Sequence, residues 1–221
     1  MGINKLGVVC VRRCFSYGET ETEYLKRKDK KLGIVIERIG HIERETDTDV
    51  FSALVHHIVG QQISTKAQQT IWQRLLDKLG TVTPDTVRDA DATTLQTLGI
   101  SSRKISYIKD LVAQIDSGAF SPTAVAALSD AEAIHALTKL KGVGVWTAEM
   151  ILLFSLERPD ILSYDDLAIQ RGMRMVYRHR QITRALFAKY KRRLSPYGSV
   201  ASLYFWAVSG GAVPELTDPQ K

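Results

Sequence analysis

Apolar residues recur at the spacing of one helix face along nearly the whole chain, and this periodicity most restricts the fold. Phe51, Leu54, Val55 and Ile58 mark one such face; Ala67, Ile71, Leu75 and Leu79 mark the next. Alternation of the strand type is scarce, with residues 7–11 the single weak instance. Local signals set the ends of the helices. Thr83-Pro84-Asp85 reads as a helix start, with Thr83 capping and Pro84 in the first turn. A helix is predicted over 102–117, turning Ile105, Ile108, Leu111, Val112 and Ile115 inward. Ser129 and Glu132 stand three apart as a capping box, opening a helix toward Lys139. A strongly apolar helix follows over 146–156, and Asp165 or Asp166 begins the next, toward Tyr177. Two more are predicted over 183–193 and 198–208. The expected fold is all-α, with about ten short helices.

Composition narrows the function classes. No apolar run approaches the roughly 20 residues that a membrane span needs. The apolar run 6–11 is followed by Arg12 and Arg13 and lacks a small-residue cleavage site. These features predict a soluble, cytoplasmic protein, nucleoid-associated if it acts on DNA, without a membrane partner, and we expect a monomer. Two cysteines, Cys10 and Cys14, cannot hold an iron–sulfur cluster by four thiolates, and no His or Cys cluster completes a zinc site. They read as free thiols near the N-terminus. The net charge is +6, and it is uneven: from Arg171 to Tyr197 there are nine Lys or Arg and no Asp or Glu. A local excess of this kind suits a polyanion, although charge runs are usually solvated helix faces.

Leu140-Lys141-Gly142-Val143-Gly144-Val145 joins two predicted helices by a tight turn. Glycine serves where φ must be positive or where another backbone comes close. A helix N-terminus directly after such a turn offers unpaired N–H groups and a partial positive charge, which suits a phosphate. Many helix–helix turns with Gly-x-Gly bind nothing, so the turn alone leaves function open.

Its neighbourhood is more specific. Residues 140–148, ending in Trp146-Thr147-Ala148, resemble the hairpin of helix-hairpin-helix DNA glycosylases. Ser163-Tyr164-Asp165-Asp166-Leu167-Ala168-Ile169 is similar to the segment that carries the family's catalytic aspartate. Upstream, Ile58-Val59-Gly60-Gln61-Gln62-Ile63-Ser64 resembles its Gly-Gln-x-x-Ser segment, and Ser195-Pro196-Tyr197-Gly198 its C-terminal helix start. The four motifs stand in the family's order, and the nearest branch is the 3-methyladenine DNA glycosylase II family. The resemblance implies two helical lobes with the helix-hairpin-helix at the cleft between them. We place residues 1–17 in an N-terminal extension, 18–48 and 165–221 in one lobe, and 49–164 in the other, with the hairpin unit at about 130–157.

The resemblance also implies roles. Asp166 would be the catalytic carboxylate, stabilising an oxocarbenium-like sugar cation and orienting water; Asp165 would cap the helix or hold neighbours of Asp166. Capping is also the ordinary use of either aspartate. Family members that nick the strand carry a lysine directly after the hairpin; here Trp146 takes that position and has no amine to form a Schiff base. Lys141 is out of register with it. Trp146, Met150, Leu167 and Trp206 are the expected base pocket, an indole face favouring a cationic alkylated base. Met150 and Leu167 stand where relatives carry aromatics, which implies a roomier pocket. Trp146 and Trp206 also suit a plain core. Gln62 falls where the family places the side chain that fills the gap left by a flipped base. Lys141, Gly142, Val143, Gly144, Val145 and Thr147 are the expected DNA contacts. The carbonyls of Thr138, Leu140 and Val143 would hold a monovalent cation, Na+ or K+, with no other cofactor required. Gln61 and Ser64 read as structural, Ser64 capping a helix from about Thr65. His56 and His57 are not at metal-ligand spacing and also read as structural.

The implied activity is excision of alkylated bases (3-methyladenine, 7-methylguanine type) from double-stranded DNA by a monofunctional glycosylase. Three alternatives stay open: a non-catalytic helix-hairpin-helix DNA-binding protein, an oxidised-base glycosylase with lyase activity, and a helical protein-interaction domain.

Overall fold

The structure is a computed structural model and describes residues 13–220. Among these residues there are thirteen helices and no strand, only an isolated bridge between Cys14 and Glu45. The strand-like stretch 7–11 and Cys10 lie outside the described residues. No helix among the described residues is long and apolar enough to cross a membrane.

The chain divides into two units, one holding residues through Thr46 and from Glu157 onward, the other Asp47–Leu156. The return at Glu157 comes earlier than the expected 165. The described part of the expected N-terminal extension is tied into the first unit. Phe15 is 4% exposed, its N–H donates to the Arg44 carbonyl at 2.8 Å, and the Tyr17 hydroxyl accepts from the Ile42 N–H at 2.6 Å.

The first unit contains α1 (Glu19–Lys28) and α2 (Lys30–Ile39) before the second unit begins. The second contains α3 (Val50–Gly60), α4 (Thr65–Leu79), α5 (Pro84–Asp89), α6 (Ala92–Thr97), α7 (Ser102–Asp116), α8 (Pro122–Val125), α9 (Asp130–Thr138) and α10 (Val145–Phe154). The chain then returns to the first unit with α11 (Leu167–Tyr177), α12 (Arg184–Leu194) and α13 (Gly198–Ser209). Thirteen helices replace the expected ten. α1 buries Leu25 alone and so shows no apolar stripe, whereas α2 carries a readable one in Leu32, Val35 and Ile36. α5, α6 and α8 are too short for periodicity to register.

In the first unit, Asp29 caps α2 by accepting from the N–H groups of Lys31 and Leu32 at 3.1 and 3.0 Å. Its other oxygen takes the Tyr177 hydroxyl at 3.1 Å and the Arg193 guanidinium at 3.0 Å, so one buried carboxylate joins α2, α11 and α12. A buried charge is tolerated when it is paired and fully hydrogen-bonded in this way. α11 lies close against α13 because Gly172 has no side chain: a Cβ there would stand 2.1 Å from the Phe205 carbonyl oxygen. In the second unit, α10 is apolar nearly all round and buries Ala148, Met150, Ile151, Leu152 and Leu153. Such a helix belongs in a core. It packs on α9 and α3, which fixes the position of its N-terminus.

Candidate active site

α3 ends in Gly60 and the turn Gln61-Gln62. The buried Lys104 ammonium of α7 donates to the Val59 carbonyl at 2.8 Å and so closes the end of that helix. The Gln61 amide then donates to the Gly142 carbonyl at 2.6 Å, tying the α3 turn to the hairpin. Gln62 has φ of 57° and turns the other way; its side-chain oxygen accepts from Arg103 at 3.3 Å. Ser64 caps α4 by accepting from the Ala67 N–H, and the Ser129–Glu132 box opens α9.

The hairpin between α9 and α10 turns at Gly142, where φ is 80° and an added Cβ would meet the Tyr107 ring at 2.4 Å. Glycine is required there twice over, by conformation and by the ring. Gly144 differs: its φ of −93° suits any residue, and an added Cβ would meet nothing within 4 Å. No side chain caps α10, which begins at Val145 directly after it. Val145 and Trp146 are exposed, while Val143 and Thr147 are buried. Lys141 is held at 2.5 Å by Asp110, and the hydrogen bond from that ammonium lowers the pKa of the Asp110 carboxyl.

Trp146 is 40% exposed and meets the His57 ring nearly at right angles, with centroids 5.8 Å apart. Both line a cavity of about 530 Å³ in the second unit, together with Gln61, Gln62, Arg103 and Tyr107. His57, expected from the sequence to be structural, thus also lines this cavity. Burial, with a smaller contribution from His56, pushes the His57 imidazole down to about 4, so it is neutral near pH 7. His56 is pushed down as well by burial; its ring packs on Trp72 and its carbonyl takes the Gln68 amide. Met150 is 2% exposed and is not among the residues lining this cavity, so its side chain serves the core of the second unit.

In the first unit, Asp166 is the N-cap of α11, with Oδ1 accepting from the N–H groups of Ala168 and Ile169 at 2.9 and 2.8 Å. It is 7% exposed. Asp165 does not cap: its side chain is half exposed and stands 3.8 Å from Arg184, which lies over the Tyr164 ring at 4.3 Å. The expected capping role of Asp165 therefore passes to Asp166. Leu167, the first residue of α11, is 80% exposed, and Trp206 is half-buried on α13. Sequence reasoning missed Arg103 and Tyr107 together with His57, for none stands at a spacing that marks a site.

Residues 55–196 match the model of the HhH-GPD superfamily of base excision DNA repair proteins. The chain is 35% identical over 165 residues to DNA-3-methyladenine glycosylase 1 of Schizosaccharomyces pombe, covering 72% of each sequence. Its fold is similar to that of a DNA-3-methyladenine glycosidase from Bacillus halodurans, with TM-score 0.82, 32% identity, and 94% of this chain and 97% of the other covered. It is also similar to a 3-methyladenine DNA glycosylase of S. pombe solved with abasic DNA, with TM-score 0.76, 28% identity, and 86% and 97% covered. The family model spans more than half of the chain, and on that ground the chain belongs to the HhH-GPD superfamily of base excision DNA repair proteins.

Proposed function

We propose that the protein is a monofunctional DNA glycosylase of the 3-methyladenine II type, removing alkylated purines from duplex DNA. The observation that carries this reading is Asp166, a carboxylate fixed by two backbone N–H groups at the start of α11. Ionised, it would stabilise the cation that develops on the sugar as the bond from C1′ to the base nitrogen breaks. The bonding pair leaves with the base, water forms the new bond to C1′, and the Asp166 carboxylate orients that water and accepts the proton it loses. Trp146 supplies an aromatic wall and no amine, so no Schiff base forms and the strand stays intact.

The hairpin would take a phosphate. α10 starts without a side-chain cap, and the open space beside Gly144 admits a foreign backbone. Gly142, Val143, Val145 and Thr147 contribute main-chain groups. Lys141 supplies charge only after leaving Asp110. Gln62, already directed by Arg103, would fill the gap left by the extruded base. The same turn would take a monovalent cation: among the described residues the carbonyls of Thr138 and Val143 accept no backbone hydrogen bond, while that of Leu140 accepts from Val143 at 3.1 Å. Such an ion would add positive charge for a phosphate to meet.

The test is a set of duplexes, each with one lesion, scored for base release and for strand breaks with and without alkali. Release of 3-methyladenine or 7-methylguanine is expected, with breaks appearing only after alkali and no covalent complex trapped by borohydride. Release of neither base, or breaks without alkali, overturns the proposal.

A further inference from the structure

We propose that His57 is a positioning and specificity-determining residue: it holds the Trp146 indole for stacking and keeps that end of the cavity receptive to a cationic base. This deepens the glycosylase reading and rests on it for the substrate. The geometry is local to the second unit. His57 lies on α3 one turn before its C-cap Gln61, and Trp146 is the second residue of α10, so the ring contact joins the two helices whose ends carry Gln62 and the hairpin. A near-perpendicular arrangement with centroids 5.8 Å apart, at an interplanar angle of 83°, is the favourable edge-to-face geometry for aromatic pairs. It restrains an indole that is otherwise 40% exposed.

The choice of imidazole has an electrostatic consequence. Purines alkylated at N3 or N7 carry a positive charge in DNA, and an indole face attracts that charge. A second cation beside the indole would cancel the attraction. Burial keeps His57 neutral well below physiological pH. Arg103 is the fixed cation of the cavity lining, and its guanidinium is directed to the Gln62 side chain. His56, on the same helix, is likewise held toward its neutral form.

The experiment compares His57→Phe, His57→Ala and His57→Lys with the wild type. Single-turnover excision is measured on duplexes holding 7-methylguanine, which is cationic, and ethenoadenine, which is neutral; affinity for abasic DNA is measured in parallel. The Trp146 indole N–H resonance is followed by NMR without DNA. We expect the resonance to move in His57→Ala and to return toward wild type in His57→Phe. In His57→Lys the ratio of rates, cationic over neutral, should fall roughly tenfold, an effect within the usual range for a cation on an indole. His57→Phe should keep the ratio, and abasic affinity separates losses of binding from losses of excision. An unmoved resonance in His57→Ala, or equal losses on both lesions in His57→Lys, overturns the proposal. Where the wild type excises neither base, the glycosylase reading fails instead, and the resonance still decides whether His57 holds Trp146.

Discussion

Asp166 closes the first turn of α11 through Oδ1, and the same bonds fix the rotamer of the carboxylate to which the proposed function gives a second duty. Held by Ala168 and Ile169, the group spends little on reorganisation when charge develops beside it, which is how prearranged dipoles and charges accelerate a reaction. The two duties separate by substitution. Asparagine keeps a capping oxygen, whereas alanine removes it. Asp166→Ala should lower the unfolding free energy by about 1 kcal/mol, and Asp166→Asn should leave it nearly unchanged. Urea denaturation of both variants checks this. Equal stability in all three proteins would mean that the cap contributes nothing.

Among the elements, the hairpin from α9 to α10 uses its two glycines for different reasons. At Gly142 the backbone is left-handed and the Tyr107 ring occupies the place of a Cβ. Gly142→Ala should therefore cost about 1–3 kcal/mol, read as a lowered thermal midpoint. At Gly144 the conformation is ordinary and the space is open. Gly144→Ala should unfold at the wild-type temperature yet bind duplex DNA more weakly, because the methyl group obstructs an approaching phosphate backbone. Wild-type affinity in that variant would contradict the phosphate role. Much of this was legible in the chain. Ser129 with Glu132, Thr83 with Pro84, and Ser64 announce helix starts because a cap is a contact among residues three apart. His57 was not legible: its partner Trp146 is brought to it by the packing of α3 on α10, and no local spacing encodes that. Adjacent carboxylates were ambiguous for the same reason. Which of Asp165 and Asp166 turns inward depends on where α11 begins, and the structure sets that start at Leu167.

At the scale of the whole molecule, the basic stretch divides by use. Arg174 and Arg171 engage Asp218, which they hold down to about 2, and Arg193 pairs with Asp29. These charges brace the first unit. Arg178, Arg180, Lys189 and Arg192 are exposed. The run of charge thus overstated the surface on offer, since Asp218 and Asp29 lie far along the chain from the cations they neutralise. Under the proposed function, excision turns on Asp166 more than on this charge, because binding and excision are separable. The decisive measurement is single-turnover release of 7-methylguanine by Asp166→Asn, with abasic-DNA affinity recorded on the same preparation. Release slowed roughly a hundredfold or more at unchanged affinity is the predicted result. Release within threefold of the wild type would show that the reaction proceeds without this carboxylate.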